Sequence, residues 1–338
     1  MGPKSTIRDV ARQAGVAKST VSRVYTAGAS VSPKTRRRVE EAASKLEYRP
    51  DPLARALSTR QTTTVAVVVP NTESVHIGQV VRGVSSVLSR QGYSVIVVDT
   101  AEDFGGAARV EKPLSHQLVD GILDIYGAAQ DDLRELALAK PVVCVGDPPR
   151  DYPADFVGIG YGAAVRSLCG WLHELGHRRL CLVTGPATPA ARSQAGLFRA
   201  AAVSCGLDLP DGRILCANWT AYAGTQAVRD ILRWDFLPDV VVCSSDLVAF
   251  GVLRAFHERG IQVPGEVGVC GLDDTLISKY TIPSLTTLRF SPFRLGMEAG
   301  RLMLERLEDP GGAKRQRVLP AGIVRRESVG KKKGEGER

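Results

Sequence analysis

Residues 6–24 read TIRDVARQAGVAKSTVSRV. The spacing predicts two short helices joined by a tight turn. Thr6 is placed to cap the first, and Asp9, three residues on, favours a helix start. Ile7, Val10, Ala11 and Ala14 recur at the helical period and form one apolar stripe. Gly15 ends that helix, because glycine takes the left-handed conformation at a helix C-terminus without steric strain. Val16 bridges the turn, and Lys18 to Val24 resume the pattern with Val21 and Val24 facing inward. The outward set is Lys18, Ser19, Thr20, Ser22 and Arg23, donors and small polar groups that suit phosphates and base edges. A third helix is predicted in SPKTRRRVEEAASKL, residues 32–46. Ser32 is its cap, Pro33 its first residue, and Val39, Ala42, Ala43 and Leu46 its buried stripe. Three short helices with a glycine turn between the first two make a helix-turn-helix, here a small all-α head. The alternative at this point is an ordinary three-helix domain with a solvated basic face.

Charge bears on that choice. Residues 1–60 hold 13 Lys+Arg against 5 Asp+Glu, residues 61–313 hold 22 against 28, and residues 314–338 hold 9 against 3. A basic head on a slightly acidic body points to a polyanionic partner for the head. The basic end, GKKKGEGER at 330–338, is expected to be a disordered, solubilising tail. With 338 residues, 44% hydrophobic content and a mean hydropathy of −0.04, the chain reads as two or three soluble units. Apolar runs such as VAVVV at 65–69 are far too short to span a bilayer, and the first residues lack the apolar core of a signal peptide. A cytoplasmic location is expected. The seven cysteines (144, 169, 181, 205, 216, 243 and 270) are scattered without a Cys-x-x-Cys, which fits reduced, packed thiols. No cofactor or metal is expected.

Beyond residue 64 the chain alternates strand and helix. TVAVVVP, YSVIVVD, VDGILDI, PVVCVGD, RLCLVTG, DVVVCSS and VGVCGLD are short Val- and Ile-rich runs separated by helical segments such as IGQVVRGVSSVLSRQG. That pattern predicts parallel sheets of βαβ units, with ligands bound beyond the carboxyl ends of the strands.

The whole chain resembles the LacI/GalR family of bacterial repressors. The phrases that carry the resemblance are TIRDVARQAGVAKSTVSRV, VSPKTRRRVEEAASKLEYRPDPLARAL, ELGHRR, SSDLVAFGVLRAFHERGIQVPGEVGVCGLDD, PSLTTLRFSPFRLGMEA and LPAGIVRRES. The resemblance implies a head over 1–49, a hinge over 50–63 and a periplasmic-binding-protein-like α/β body over 64–329. The body would hold two doubly wound parallel-sheet subdomains, about 64–160 with 291–321 and about 161–290 with 322–329. It implies a homodimer on a palindromic operator, regulated by a small molecule of the sugar class. No leucine heptad supports a tetramerising coil. Lys18 and Ser19 fall at base-reading positions, and Thr20, Ser22 and Arg23 at backbone and base contacts; Thr6 joins them as a DNA-contact candidate. Two residues depart from the family pattern: Ala17 replaces a frequent Ser cap, and Thr26 a frequent Asn. The stretch DPLARALSTRQTTT at 51–64 contains the family's hinge helix, in which Leu57 would wedge into the minor groove and Arg55 would contact DNA or hold the helix pair.

Effector candidates follow by the same resemblance. Asp273 matches a binding carboxylate, and an ionised Asp suits a pair of sugar hydroxyls. Trp219 falls where an aromatic packs on the sugar. Asp246 matches a family acid; alternatively it caps the next helix. His76 and Ile77 fall where relatives carry aromatics at the cleft edge. Gln194 stands where family members often have Arg, with Arg192 two residues away, and Gly160-Tyr161 replaces a common Asp-Asn. A neutral polyol or sugar therefore suits the chain better than an anionic effector. Two further motifs read as decoys. HELGH (His173 to His177) has zinc-protease spacing, but Gly176 inside it ends the helix that the motif requires. GIGYGA at 158–163 lacks the acidic residue of a dinucleotide fingerprint, and a tight crossover explains its glycines. A plain solute-binding module and an α/β enzyme are the rival readings. The basic head opposes the first, and the lack of a coherent catalytic set opposes the second.

Overall fold

Three helices form the head: α1 (Ile7–Ala14), α2 (Lys18–Val24) and α3 (Pro33–Lys45). This computed structural model describes residues 5–25, 30–48, 61–70, 72, 74–100, 119–128, 137, 140–146, 154–186 and 189–332. The hinge-helix expectation, with Arg55 and Leu57, and the departure at Thr26 lie outside the described residues. A reciprocal capping box starts α1: the Asp9 N–H donates to Thr6 Oγ1 at 3.4 Å, and the Thr6 N–H donates to Asp9 Oδ2 at 2.9 Å. Gly15, at φ 61, ends it. Ser32 caps α3 by accepting from the Thr35 N–H at 3.2 Å, whereas Ala17 leaves α2 without a side-chain cap. Val10, Ala11, Ala14, Val21, Val24, Val39, Ala42 and Ala43 form the head core, with Ile7 and Leu46 partly buried against it. Two of the head's cations are committed internally. Arg36 Nη1 donates to the Val24 carbonyl at 2.9 Å and Arg38 Nη2 to the Ala14 carbonyl at 2.6 Å, which satisfies the bare ends of α2 and α1.

Contacts divide the chain into two compact units, the described parts of Met1–Thr64 with Gln117–Asp120, and those of Val65–His116 with Gly121–Arg338. The second is built on two six-stranded sheets. The first sheet uses β1 (Thr64–Val69), β2 (Ser94–Asp99), β3 (Gly121–Ile125), β4 (Val142–Val145), β5 (Asp155–Gly160) and β11 (Gln316–Pro320), in the order β11-β5-β4-β3-β1-β2. The second uses β6 (Leu180–Thr184), β7 (Ile214–Cys216), β8 (Val240–Cys243), β9 (Gly268–Asp273), β10 (Thr286–Arg289) and β12 (Gly322–Val324), in the order β12-β10-β9-β8-β6-β7. Helices α4 (Val75–Leu88) and α9 (Pro292–Glu308) pack on the first sheet around Val65, Val67 and Val69. Helices α5 (Tyr161–Glu174) and α6 (Pro189–Ser204) cover one face of the second, and α7 (Ala221–Ile231) and α8 (Asp246–His257) the other. Burial on both faces explains the near-continuous apolar runs of β1, β3, β4, β6 and β8, whereas the edge strand β2 leaves Ile96 and Val97 exposed. Among the described residues no helix is long and apolar enough to cross a membrane.

The chain passes between the sheets at Gly160-Tyr161, at Phe290-Ser291 and at Ala321. Both sheets are parallel as expected, apart from one short edge strand: β12 pairs antiparallel with β10. The single residue Ala321 separates β11 from β12, too short a passage for the chain to reach the opposite end of the second sheet and enter it in parallel. The tail is corrected at its start. The His177 Nε2 lies 2.9 Å from the Gly330 carbonyl, the Lys332 N–H donates to the Leu175 carbonyl at 2.9 Å, and Lys332 Nζ pairs with Asp239 at 3.1 Å. Residues 330–332 thus pack on the body, while 333–338 lie outside the described residues. The same contacts show how HELGH folds: α5 stops at Glu174, Gly176 sits at φ 91, and His177 turns to the C-terminal segment.

Candidate DNA-reading helix and effector cleft

In the head, the α2 face opposite Val21 and Val24 carries Lys18, Ser19, Ser22 and Arg23, all exposed, and Thr20, half-buried. Amphipathic phase alone produces this arrangement, since the valines at i and i+3 must enter the core. The face supplies a guanidinium, an ammonium and hydroxyls within two helical turns. Thr6 serves the capping box, its hydroxyl donating to Asp9 Oδ2 at 2.7 Å.

In the body, strand order locates the cleft. The order reverses between β1 and β3 in the first sheet and between β6 and β8 in the second. Ligands in such sheets bind beyond the carboxyl ends of the strands at these switch points. The segment after β1 leads to His76 at the start of α4, and Tyr126 follows β3 directly. His76 Nε2 and the Tyr126 hydroxyl are 2.6 Å apart. Phe290, at the crossing before α9, presents its edge to His76 with ring centroids 5.1 Å apart, and Tyr161, at the start of α5, meets Phe290 at 5.7 Å. Asp273, at the end of β9, reaches across from the second sheet, its Oδ1 3.7 Å from His76 Nδ1. That distance is too long for a hydrogen bond, and His76 Nδ1 is buried without a partner.

Burial disfavours charge on both groups. The His76 ring is pushed down to about 4, and the Asp273 carboxyl is held well above the ordinary carboxylate range by burial and by the nearby Asp246 carboxylate. The Asp246 backbone N–H, at the start of α8, pulls Asp273 the other way. Asp273 also sits at φ 121, a backbone conformation that non-glycine residues adopt with strain. Its neighbour Asp274, at φ 53, accepts from Arg289 Nε and Arg326 Nη2, each at 2.5 Å, and this clamp holds the turn.

Asp246 behaves differently from both readings given to it. Ser245 is the N-cap of α8, accepting from the Val248 N–H at 3.3 Å, and Asp246 is the first helical residue. Asp246 is fully buried, and its own chain engages both oxygens: Thr287 Oγ1 donates to Oδ1 at 2.6 Å, and the Thr275 N–H (2.7 Å) and the Ser278 hydroxyl donate to Oδ2. Burial raises its carboxyl despite these donors. It is a strut for the turn after β9. Ile77 is likewise corrected as a cleft-edge residue. It is 5% exposed within the first-sheet core, because successive helical residues point about 100° apart and His76 takes the cleft side. Trp219, 42% exposed, lays its ring over Gly185 just beyond β6, where any Cβ would collide with it. Arg192 is exposed and Gln194 half-buried near the start of α6. Tyr126, Tyr161 and Phe290 were not among the sequence candidates. Their signal was available: an aromatic directly after a predicted strand, and two at chain crossings.

A hollow of about 360 Å³ lies elsewhere, lined by Lys140, Asp155, Arg306 and Lys314 at the start of β4 and β5. Its acid and guanidinium satisfy each other, with Arg306 Nε and Nη2 donating to Asp155 at 2.9 and 2.7 Å. It is a structural pair beside a surface dent.

Comparison with known proteins agrees with this layout. The model of the bacterial regulatory proteins of the lacI family matches residues 6–51, and that of the periplasmic binding protein-like domain matches residues 170–329. The ribose operon repressor of Escherichia coli (strain K12) is 31% identical over 311 residues, covering 90% of this chain and 94% of that protein. The solved structure of the Lac repressor dimer bound to operator and the anti-inducer ONPF matches with a TM-score of 0.85 at 26% identity, covering 97% of this chain and 99% of that one. The complex of the transcriptional regulator CelR with cellobiose matches with a TM-score of 0.72 at 28% identity, covering 96% and 99%. A helix-turn-helix head, a two-sheet body with a cleft at its switch points, and likeness along nearly the whole chain lead to one conclusion: this protein belongs to the lacI family of bacterial regulatory proteins, DNA-binding, effector-regulated transcriptional repressors rather than enzymes.

Proposed function

We propose that this cytoplasmic repressor binds a palindromic operator as a homodimer, and that a neutral, sugar-like metabolite entering the cleft sets its affinity. The observation that carries the effector reading is the unpartnered, buried His76 Nδ1 facing Asp273 inside a frame of rings. An Asp carboxyl and an imidazole nitrogen serve the hydroxyls of a polyol, and Tyr126 and Trp219 offer faces to its apolar side. An anionic effector would need a cationic partner, and neither His76, pushed down to about 4, nor Asp273 supplies one. The names of two relatives, a repressor of a ribose operon and CelR in complex with cellobiose, support the sugar class. In the head, Lys18 and Ser19 read bases, Thr20 and Ser22 make backbone and base contacts, and Arg23 makes a bidentate contact to guanine; Leu57 wedges into the minor groove, and Arg55 contacts DNA or holds the helix pair.

Twofold pairing follows from the half-site that one helix-turn-helix can read. Supporting it, Leu276, Ile277, Tyr280 and Ile282 stand 59–97% exposed within one seven-residue stretch of the second-sheet subdomain, with Tyr222 exposed as well. A patch of this kind is a protein-contact surface. The test is enrichment of random duplex DNA by the full chain, followed by gel shifts at several salt concentrations. The expected result is an inverted repeat bound with a steep salt dependence. In the Arg23→Ala variant, discrimination should fall by about 1–3 kcal/mol at one symmetry-related position per half-site. Enrichment of non-symmetric DNA, or binding indifferent to salt, would contradict the reading.

A further inference from the structure

The linker ends in a clasp. The Thr62 N–H donates to Asp120 Oδ1 at 2.7 Å, and Thr62 Oγ1 donates to the same oxygen at 2.9 Å. The Thr63 N–H donates to Asp120 Oδ2 at 2.8 Å. The Asp120 N–H returns a bond to the Thr64 carbonyl at 2.8 Å. Both carboxylate oxygens are therefore engaged by consecutive linker residues, and the linker is bonded back to the main chain of the same aspartate. Thr63 sits at φ 50, a left-handed conformation unusual for a β-branched residue, with its hydroxyl donating to the Thr62 carbonyl at 2.8 Å. Such a conformation persists where surrounding bonds over-determine it. Val119 and Asp120 also group with the unit that contains the head, and not with the residues that follow them in sequence.

Position gives this clasp a role beyond capping a loop. Its two sides continue without a break into β1 and β3, whose register begins at Val65 opposite Gly121. These are the two strands that flank the first sheet's switch point. Their other ends lead to His76 and Tyr126. A single aspartate thus fixes the last residues before β1 at one end of the strands whose opposite end forms the cleft wall. A carboxylate that accepts three charge-assisted bonds in two directions allows one arrangement of Thr62 and Thr63, whereas a loop held by one bond would allow several.

We propose that Asp120 is a positioning residue for operator-specific binding: by clasping Thr62 and Thr63 it sets the direction in which the linker leaves the body, without itself touching DNA. The inference rests on the operator reading above. Nonspecific binding uses phosphate contacts that need no fixed linker, so the clasp acts on the specific complex alone.

The experiment uses the full chain, the duplex that the wild type enriches, and a scrambled duplex of equal length. In Asp120→Ala the ratio of specific to nonspecific affinity should fall by about tenfold or more, from loss of bonds to a charged acceptor, with nonspecific affinity within about twofold of wild type. Asp120→Asn keeps one acceptor oxygen and should fall about threefold, and Thr62→Val, which removes one donor and leaves the aspartate intact, should do the same. Hydrogen exchange should show faster exchange at the Thr62 and Thr63 amides in Asp120→Ala, with β3 still protected. An unchanged ratio in Asp120→Ala, or equal losses on both duplexes, would overturn the proposal. So would wild-type protection of those two amides in Asp120→Ala. A wild type that enriches no sequence would overturn the operator reading instead, and the exchange measurement would still decide the clasp.

Discussion

Two sets of polar groups in the cleft are held in different ways. On the second-sheet wall, Asp246 is fully buried with three donors from its own chain, and Asp274 is clamped by Arg289 and Arg326. On the first-sheet wall, His76 is held by Tyr126 at one nitrogen and left without a partner at the other. Asp273 stands between them, strained and 3.7 Å from His76. Buried polar groups are normally satisfied, so the satisfied ones report architecture and the unsatisfied ones report where something is meant to bind. Two carboxylates only 27 positions apart in the sequence therefore have different roles, and residue type does not separate them.

The comparison can be broken first at Asp246. Replacing it with alanine strands the Thr275 N–H and two hydroxyls in a buried site, and should cost about 3–5 kcal/mol in a chemical denaturation midpoint. A loss below about 1 kcal/mol would remove it as a strut.

Next comes His76. Its ring is pushed down from 6.5 to about 4, so the unfolded chain takes up the proton first as pH falls. Stability should be full above about pH 6.5 and decline by about 3 kcal/mol between there and pH 4. His76→Phe should remove that slope, as read by denaturation at several pH values.

The smallest effect belongs to Asp273, whose carboxyl is pushed up. The folded form holds its proton longer than the unfolded chain, so stability falls as pH rises above the ordinary value of 3.8. Asp273→Asn should leave stability unchanged near pH 4 and raise it by about 1 kcal/mol at pH 8. A loss of stability at pH 8 would mean that the carboxylate is satisfied after all.

Much of the fold was legible because it follows from local rules. Thr6, Asp9, Gly15, Ser32 and Pro33 mark helix ends by their own chemistry, and the short Val-rich runs between helical segments read as strands. What was not legible depends on distant partners. Nothing near Asp246 announces that Thr275, Ser278 and Thr287 fold back on it from 29 to 41 positions away. The resemblance places Ile77 with His76 at the cleft edge, and helix phase sends the two side chains in different directions. The antiparallel β12 follows from a one-residue passage whose meaning appears once β11 is known to end at the edge of the other sheet. His76 and Asp273 could both be named from the sequence, but their approach across two sheets could not.

The central claim is that the facing pair in the cleft, His76 and Asp273, is the effector site. The direct test is tryptophan fluorescence of the full chain, titrated with a panel of neutral sugars and nucleobases, in wild type, Trp219→Phe and Asp273→Ala. The account predicts that a neutral sugar shifts the wild-type emission, that Trp219→Phe silences the signal, and that Asp273→Ala abolishes the response while still binding DNA. A sugar response retained in Asp273→Ala would contradict it.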